Sequence, residues 1–280
     1  MSDPGEVKIK KELLAELGRQ AVRVRRETLR LHKLAPETRV ASSLSDVELF
    51  VALYYGRLLK FKAESPRDEG RDRMIVSKGH GGISLYPILA DLGFFDRSEL
   101  DRIGQTGGIL GGIPDDIPGF ETVNGSLGHG LGVGCGMALA LKRKGSAASV
   151  VVLVGDGELF EGAVWEAVMF AGHHRLDNLL LIVDRNKISM LGLTREILDL
   201  SPLPAKFSAF GWAASSVDGH DVGEVYGSLA GLIPERGGKP KVLVAETVKG
   251  KGAPSLEKDP LCHIRTLTPE QVDALMKEAK

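Results

Sequence analysis

The residues best placed to do chemistry stand in "VVLVGDGELFEG", 151–162, where an apolar run of strand character ends at Asp156, an acid with glycine on both sides. A second run, "NLLLIVDRN", 178–186, ends in the same way with Asp184 and Asn186. Asn186 follows Asp156 by 186 − 156 = 30 residues, the length of one βαβ unit, so the two loops can meet at one edge of a parallel sheet. A carboxylate and a side-chain amide are hard oxygen donors, and Mg²⁺ favours one or two of these together with phosphate oxygens and water. Gly155 and Gly157 would let a diphosphate approach the backbone, and Gly157 can offer its N–H. A helix beginning near Phe160 would add the positive end of its dipole. The pattern points to a metal-bridged diphosphate. Two plainer readings stand beside it: a GDG that is only a turn, and an Asn that only caps the next helix.

The elements that must position these residues alternate regularly. Residues 6–34 form an amphipathic helical pattern, and 45–60 a second, with Ser45 as N-cap and Glu48 completing a capping box. The basic stretch "GRQAVRVRRETLRLHK" lies in the first helix and reads as its solvated face. A loop leads to the short strand "MIVSKGH", a helix over 83–92, and then "GQTGGILGGIPDDIPG", 104–119, with too much Gly and Pro for any regular element. Loops of that length inside a compact domain are usually functional or disordered. Beyond it the pattern predicts a helix at 126–144, strand 149–155, helix 160–174, strand 178–184, strand 213–217, helix 221–233 and strand 241–246. Continuous apolar strands such as "SVVVLV" and "NLLLIV" suit a sheet buried on both faces, and alternation with helices makes it parallel. The fold class expected is α/β, doubly wound, with helices on both faces. Residues 1–280 read as a single domain on which the helical segment of about 6–60 packs.

Composition sets the outer bounds. The 280 residues are 43% hydrophobic and 26% charged, and 36 basic against 37 acidic residues leave a net charge of −1. Nothing in that balance asks for nucleic acid or an anionic membrane. Cys135 and Cys262 form neither a CxxC nor a disulfide framework, and Cys135 reads as a small buried residue. The first twenty residues are charged and lack the apolar core of a secretory signal. No apolar run approaches the ~20 residues of a membrane span, so a cytoplasmic location is expected. "GHGLGVGCG", 128–136, never gives GxGxxG and follows a loop rather than a strand, which argues against a nicotinamide dehydrogenase.

GDG followed some thirty residues later by Asn resembles the thiamine-diphosphate signature. "SKGH" (77–80) with "LY" (85–86), "NGSLGHGL" (124–131), "GDGELFEG" (155–162), "VDGH" (217–220) and "KPKVLVAETVKGKG" (239–252) resemble, in order and spacing, the N-terminal, diphosphate-binding half of the transketolase family. The resemblance runs from roughly residue 20 to 270. It implies the thiamine-diphosphate-binding fold, with thiamine diphosphate and Mg²⁺ (or Ca²⁺) as cofactors. Asp156 and Asn186 would hold the metal through side chains, and Ile188 through its carbonyl. The N–H of Gly157 would meet the diphosphate, Gly155 would lie beside it, Gly125 and Leu127 would line the aminopyrimidine, and Met190 would sit near the thiazolium. His80, and His263 in "DPLCHIRTL", match histidines that touch the diphosphate and the reacting substrate, while Glu161 resembles an acid at the subunit interface. The reaction implied moves a two-carbon ketol unit from a ketose (phosphate) donor to an aldehyde acceptor.

Two absences qualify that expectation. The cofactor-activating glutamate of the family lies in a second, pyrimidine-binding half, and no segment here corresponds to it. The resemblance therefore implies a partner subunit carrying that half, in a two-plus-two heterotetramer. Family members also carry two substrate-contacting histidines where this sequence has Arg39, in "ETRVASSLS", and Ile113, in "GGIP". Ile113 removes a hydroxyl partner and Arg39 adds an anion partner, which would suit a donor with a methyl or carboxylate group. The competing functions are thus a 2-oxo-acid-dependent acyl transferase on the same scaffold and a non-catalytic cofactor-binding subunit.

Overall fold

The computed structural model describes residues 11–278. Five strands, β1 (Arg73–Val76), β2 (Val150–Gly155), β3 (Leu179–Arg185), β4 (Ala213–Asp218) and β5 (Lys241–Glu246), form one sheet in the order β1-β2-β3-β5-β4. All four pairings are parallel. The apolar runs explain why. Every residue of β2 is buried, and side chains of successive residues leave opposite faces. Val151 and Leu153 join a core with Leu180, Ile182 and Leu243 on one face, while Val150, Val152 and Val154 join Leu179, Leu181 and Val244 on the other.

The described residues contain eleven α-helices: α1 (Lys11–Leu34), α2 (Val40–Leu44), α3 (Val47–Tyr54), α4 (Leu85–Asp91), α5 (Gly130–Arg143), α6 (Gly162–His173), α7 (Thr194–Ile197), α8 (Leu203–Ala209), α9 (Val222–Leu232), α10 (Pro254–Glu257) and α11 (Pro269–Glu278). α1, α3, α4 and α9 cover the first face, and α5, α6 and α8 the second. The sheet is therefore doubly wound, as its alternation with helices implies.

Several local expectations are corrected. The helix expected at 45–60 is the shorter α3, Val47–Tyr54, and Ser45 ends the separate helix α2 before it rather than capping α3. Its hydroxyl donates instead to Ser42 O and to Asp184 Oδ2 at 2.7 Å, and Glu48 is taken by Arg25 and His220. Long-range partners outcompete the capping box. Arg25 is accordingly buried, so the basic stretch of α1 is not wholly a solvated face. Residues 6–10 of the first helical pattern lie outside the described residues. The helix expected near Phe160 starts at Gly162, after a 3₁₀ turn over Gly157–Phe160. The 104–119 segment has no regular helix or strand, yet Leu110 and Ile117 are buried against Leu31, Ala35 and Tyr86. Tyr86 Oη also donates to Gly111 O at 2.9 Å, so this loop is packed and anchored.

Candidate functional site

The carboxyl ends of β1, β2, β3 and β5 open onto one cavity of about 720 Å³. The strand register makes this convergence: Gly155 stands beside Asp184, and Asp184 beside Ala245. Each chain leaves the sheet just beyond, delivering Lys78 and His80 from β1, Asp156 and Gly157 from β2, Asn186 and Ile188 from β3, and Lys249 from β5. Every site residue expected from the sequence lines this cavity: His80, His263, Glu161, Gly125, Leu127, Gly155, Asp156, Gly157, Asn186, Ile188, Met190, Arg39 and Ile113. Glu161, Met190 and Ile113 are exposed on its rim, whereas Asp156, Asn186, Ile188 and His263 are buried.

Asp156 Oδ2 accepts from Lys187 N at 2.8 Å and from Thr194 Oγ1 at 3.3 Å, and Oδ1 accepts from Gly157 N at 2.9 Å. The Gly157 N–H expected to face a diphosphate is thus engaged by the neighbouring carboxylate. Burial, with the charge of Asp184 as a second cause, pushes the Asp156 carboxyl up to about 6. Asn186 donates Nδ2 to Asp184 Oδ2 at 2.9 Å, and its Oδ1 accepts from Ile188 N at 3.2 Å. The Ile188 carbonyl accepts from Lys249 Nζ at 2.7 Å.

Beneath these groups lies a cluster the sequence reading did not contain. Lys78 Nζ sits between Asp184, with which it forms a hydrogen-bonded ion pair, and Asp46 Oδ2 at 2.9 Å. The Asp46 contact lacks hydrogen-bond alignment. Asp46 Oδ1 accepts from Ser84 Oγ at 2.7 Å. All three charges are buried. Burial raises Asp46 to about 7 despite Lys78, whereas Lys78 and hydrogen bonds from Thr247 and Ser45 outweigh burial at Asp184 and lower it. The two acids share one ammonium unequally. Glu158 is also buried at the cavity wall. It accepts from Gly128 N at 2.8 Å, Gly155 N at 3.3 Å and the Ser77 hydroxyl, tying the 124–130 segment to the end of β2.

Also in the cavity lining, the His80 and His263 rings meet edge to face with centroids 5.0 Å apart. Ser42 Oγ is 3.3 Å from His263 Nδ1. Burial lowers both imidazoles, with the cations Lys249, Arg39 and Lys78 adding to the effect on His263, which falls to about 3. Both rings are therefore neutral at pH 7. Lys249, buried and near Lys78, is lowered to about 8. Lys78, followed by Gly79, and Lys249, followed by Gly250, each have the local sequence of a solvated loop cation. The available signal was their placement within the SKGH and KGKG segments, directly after strand ends. Among the described residues no group of three His, Cys, Asp or Glu side chains forms a metal cluster; the oxygen donors here are one carboxylate, one amide and one main-chain carbonyl. No described helix is long and apolar enough to cross a membrane.

Comparison with known proteins agrees with this geometry. Residues 41–279 match the family described as "Transketolase, thiamine diphosphate binding domain". The chain is 38% identical over 241 residues to a 6-deoxy-6-sulfo-D-fructose transketolase subunit of Clostridium sp. (strain MSTE9), covering 85% of this chain and 87% of that one. It is 37% identical over 268 residues to an apulose-4-phosphate transketolase subunit of Actinobacillus succinogenes, covering 95% and 96%. The solved transketolase of Campylobacter jejuni superposes with a TM-score of 0.84 at 27% identity over 97% of this chain, but only 43% of that chain is covered. This chain thus spans less than half the length of that transketolase, and about the whole length of relatives named as subunits. With sequence, fold and cavity in agreement, the chain belongs to the transketolase family, and the part of that family it represents is the thiamine diphosphate binding domain.

Proposed function

We propose that this chain is the diphosphate-binding subunit of a two-component transketolase-like enzyme that moves a two-carbon ketol unit from a ketose (phosphate) donor to an aldehyde acceptor. The observation that carries the reading is the convergence of Asp156, Asn186 and Ile188 with two buried lysines and two neutral histidines on one cavity. The donor set fits a cofactor of this kind. Asp156 is a buried acid raised by burial, which a cation would relieve. The Ile188 carbonyl already holds a cationic nitrogen, that of Lys249. A Cβ placed on Gly125 would meet no atom within 4 Å, so a planar ring has room there. Asp156, Asn186 and Ile188 O would hold Mg²⁺ or Ca²⁺, and Lys78 and Lys249 would offset the charge of the diphosphate.

Thiamine diphosphate, when bound, supplies the carbon nucleophile and the electron sink that ketol transfer needs. The protein supplies the remainder. His80 and His263, held neutral, can accept a proton from a substrate hydroxyl and return it. The cavity walls keep the reacting groups out of bulk water. Glu161 on the rim faces outward, where a partner subunit bearing the pyrimidine-binding half and the activating glutamate would close the site, in a two-plus-two heterotetramer. Relatives named as subunits support a partner. The two buried free thiols suit a reducing, cytoplasmic setting.

Arg39 favours a donor bearing an anion. It lines the cavity half-buried, and its charge acts on His80 and His263. Relatives are named for 6-deoxy-6-sulfo-D-fructose and apulose-4-phosphate, and a 2-oxo acid would present a comparable charge. The deciding experiment is the native mass of the complex purified without stripping ligands. A second polypeptide of similar size, with mass for thiamine diphosphate and metal, is expected; a cofactor-free homo-oligomer refutes the proposal. Arg39→His/Ile113→His is expected to gain activity on plain ketose phosphates, and no gain counts against the role given to these two residues.

A further inference from the structure

The VDGH segment has no part in the cavity, yet its histidine reaches the loop that does. His220 follows β4, and its Nε2 accepts the backbone N–H of Val248 at 2.8 Å. An acceptor at Nε2 places the ring proton on Nδ1, which points to Glu48 Oε2 on α3 at 3.1 Å. Glu48 Oε1 in turn accepts from Arg25 Nη2 on α1 at 2.7 Å, and Arg25 Nε donates to Lys251 O at 3.0 Å. The two ends of this chain of bonds therefore grip the same short loop, Val248 on one side of Lys249 and Lys251 on the other. Gly250 N is bonded to Ala41 O at 2.9 Å, and a Cβ on Gly252 would lie 2.6 Å from Arg25 Cδ. Between these ties the Lys249 side chain is buried and carries its ammonium to the Ile188 carbonyl.

We infer that His220, with Glu48 and Arg25, is a positioning residue for the cofactor end of the cavity, acting through the backbone of Val248–Lys251 to aim the Lys249 ammonium. The inference rests on the proposed thiamine-diphosphate function for its consequence, but not for its geometry. A lysine on a loop has four side-chain torsions and a mobile backbone to choose from, and fixing the backbone at both neighbours removes part of that freedom before the ligand arrives. Removing the His220 acceptor leaves the Val248 N–H without its partner and frees one side of the loop. The loss of one such bond changes an equilibrium by roughly fivefold to tenfold.

The test uses the complete complex of this chain with its partner, and thiamine diphosphate with Mg²⁺ as probe. His220→Phe keeps the ring and removes the acceptor; His220→Gln restores an acceptor oxygen. His220→Phe is expected to weaken cofactor affinity about fivefold to tenfold with kcat at saturating cofactor unchanged, and His220→Gln to recover part of the loss. In a Lys249→Met background, itself weakened, His220→Phe is expected to cost less than about twofold more, because its effect passes through the lysine. Full additivity in that double variant overturns the inference. Amide hydrogen exchange without cofactor provides the independent check: His220→Phe is expected to speed exchange at Val248 and the amides of 249–251. Unchanged protection there overturns the positioning role, whatever the cofactor result. Failure of the unaltered complex to bind thiamine diphosphate overturns the proposed function instead, with the exchange experiment still deciding the geometry.

Discussion

Asp46 offers the sharpest test of the buried charge cluster. Its carboxyl is raised from 3.8 to about 7, burial being the leading cause. At about 1.36 kcal/mol per unit, ionising it inside the fold costs about 4 kcal/mol relative to the unfolded chain. The sign follows from the proton count. Between about pH 4 and 7 the folded acid keeps a proton that the unfolded chain has lost, so stability falls as pH rises through that window and levels off above it. About 3 kcal/mol of this falls between pH 5 and pH 8. Asp46→Asn removes the titration while its amide oxygen can still accept from Ser84 Oγ, now 2.7 Å from Oδ1. The variant should therefore gain about 3 kcal/mol relative to the parent between pH 5 and pH 8, read as urea midpoints of the cofactor-free chain. The neighbouring Asp184→Asn should behave in the opposite way. Asp184 accepts from Lys78, Ser45, Thr247 and Asn186, and its loss should cost about 3–5 kcal/mol. A stability difference between Asp46→Asn and the parent that is constant across pH would refute the unequal sharing of Lys78.

Three further outcomes follow from the same geometry. Asp156→Asn, by removing an acid raised to about 6, should leave the cofactor-free chain no less stable at pH 8 while reducing metal-dependent thiamine diphosphate affinity at least about tenfold by calorimetry, roughly what losing one charged ligand implies. His263, lowered by burial to about 3, should show no imidazolium in NMR titrations at pH 5.5; with His80 also lowered by burial, stability should be lost as pH falls below about 6.5, where the unfolded rings take up protons first. Glu158→Gln offers one acceptor oxygen to the two N–H groups and the hydroxyl now served by two. It should lose about 1–3 kcal/mol of stability in urea and raise the KM for cofactor.

What could be read from the sequence were features written into consecutive residues. The apolar runs 150–154 and 179–183 needed no partner to declare themselves as buried strands, and Gly155-Asp156-Gly157 followed by Asn186 marked where two of them end. The features that escaped depend on residues far apart in the chain. Ser45 has the local context of an N-cap, but its hydroxyl answers to Asp184, 139 positions away. Glu48 has the local context of a capping-box acid and Arg25 that of a helix-surface charge, until His220 and the Lys251 carbonyl come to meet them. Lys78 and Lys249 carry no local sign of burial, since only the packed fold surrounds their stems. Local patterning reveals elements and strand ends; it is silent on which distant group completes a buried charge.

The cavity joins two kinds of construction. Its inner end is made from residues at the ends of hydrogen-bonded strands, with Asp156, Asn186 and Lys78 held by the sheet and by one another. Its mouth is made from separate loops that bring Ile113 and Met190 to the rim, with Arg39 half-buried in the wall. A substitution at the mouth therefore need not disturb the cradle below it. Such a division allows substrate preference to drift in evolution, or to be redirected by engineering a few loop positions, while the machinery that holds the reactive group is inherited intact.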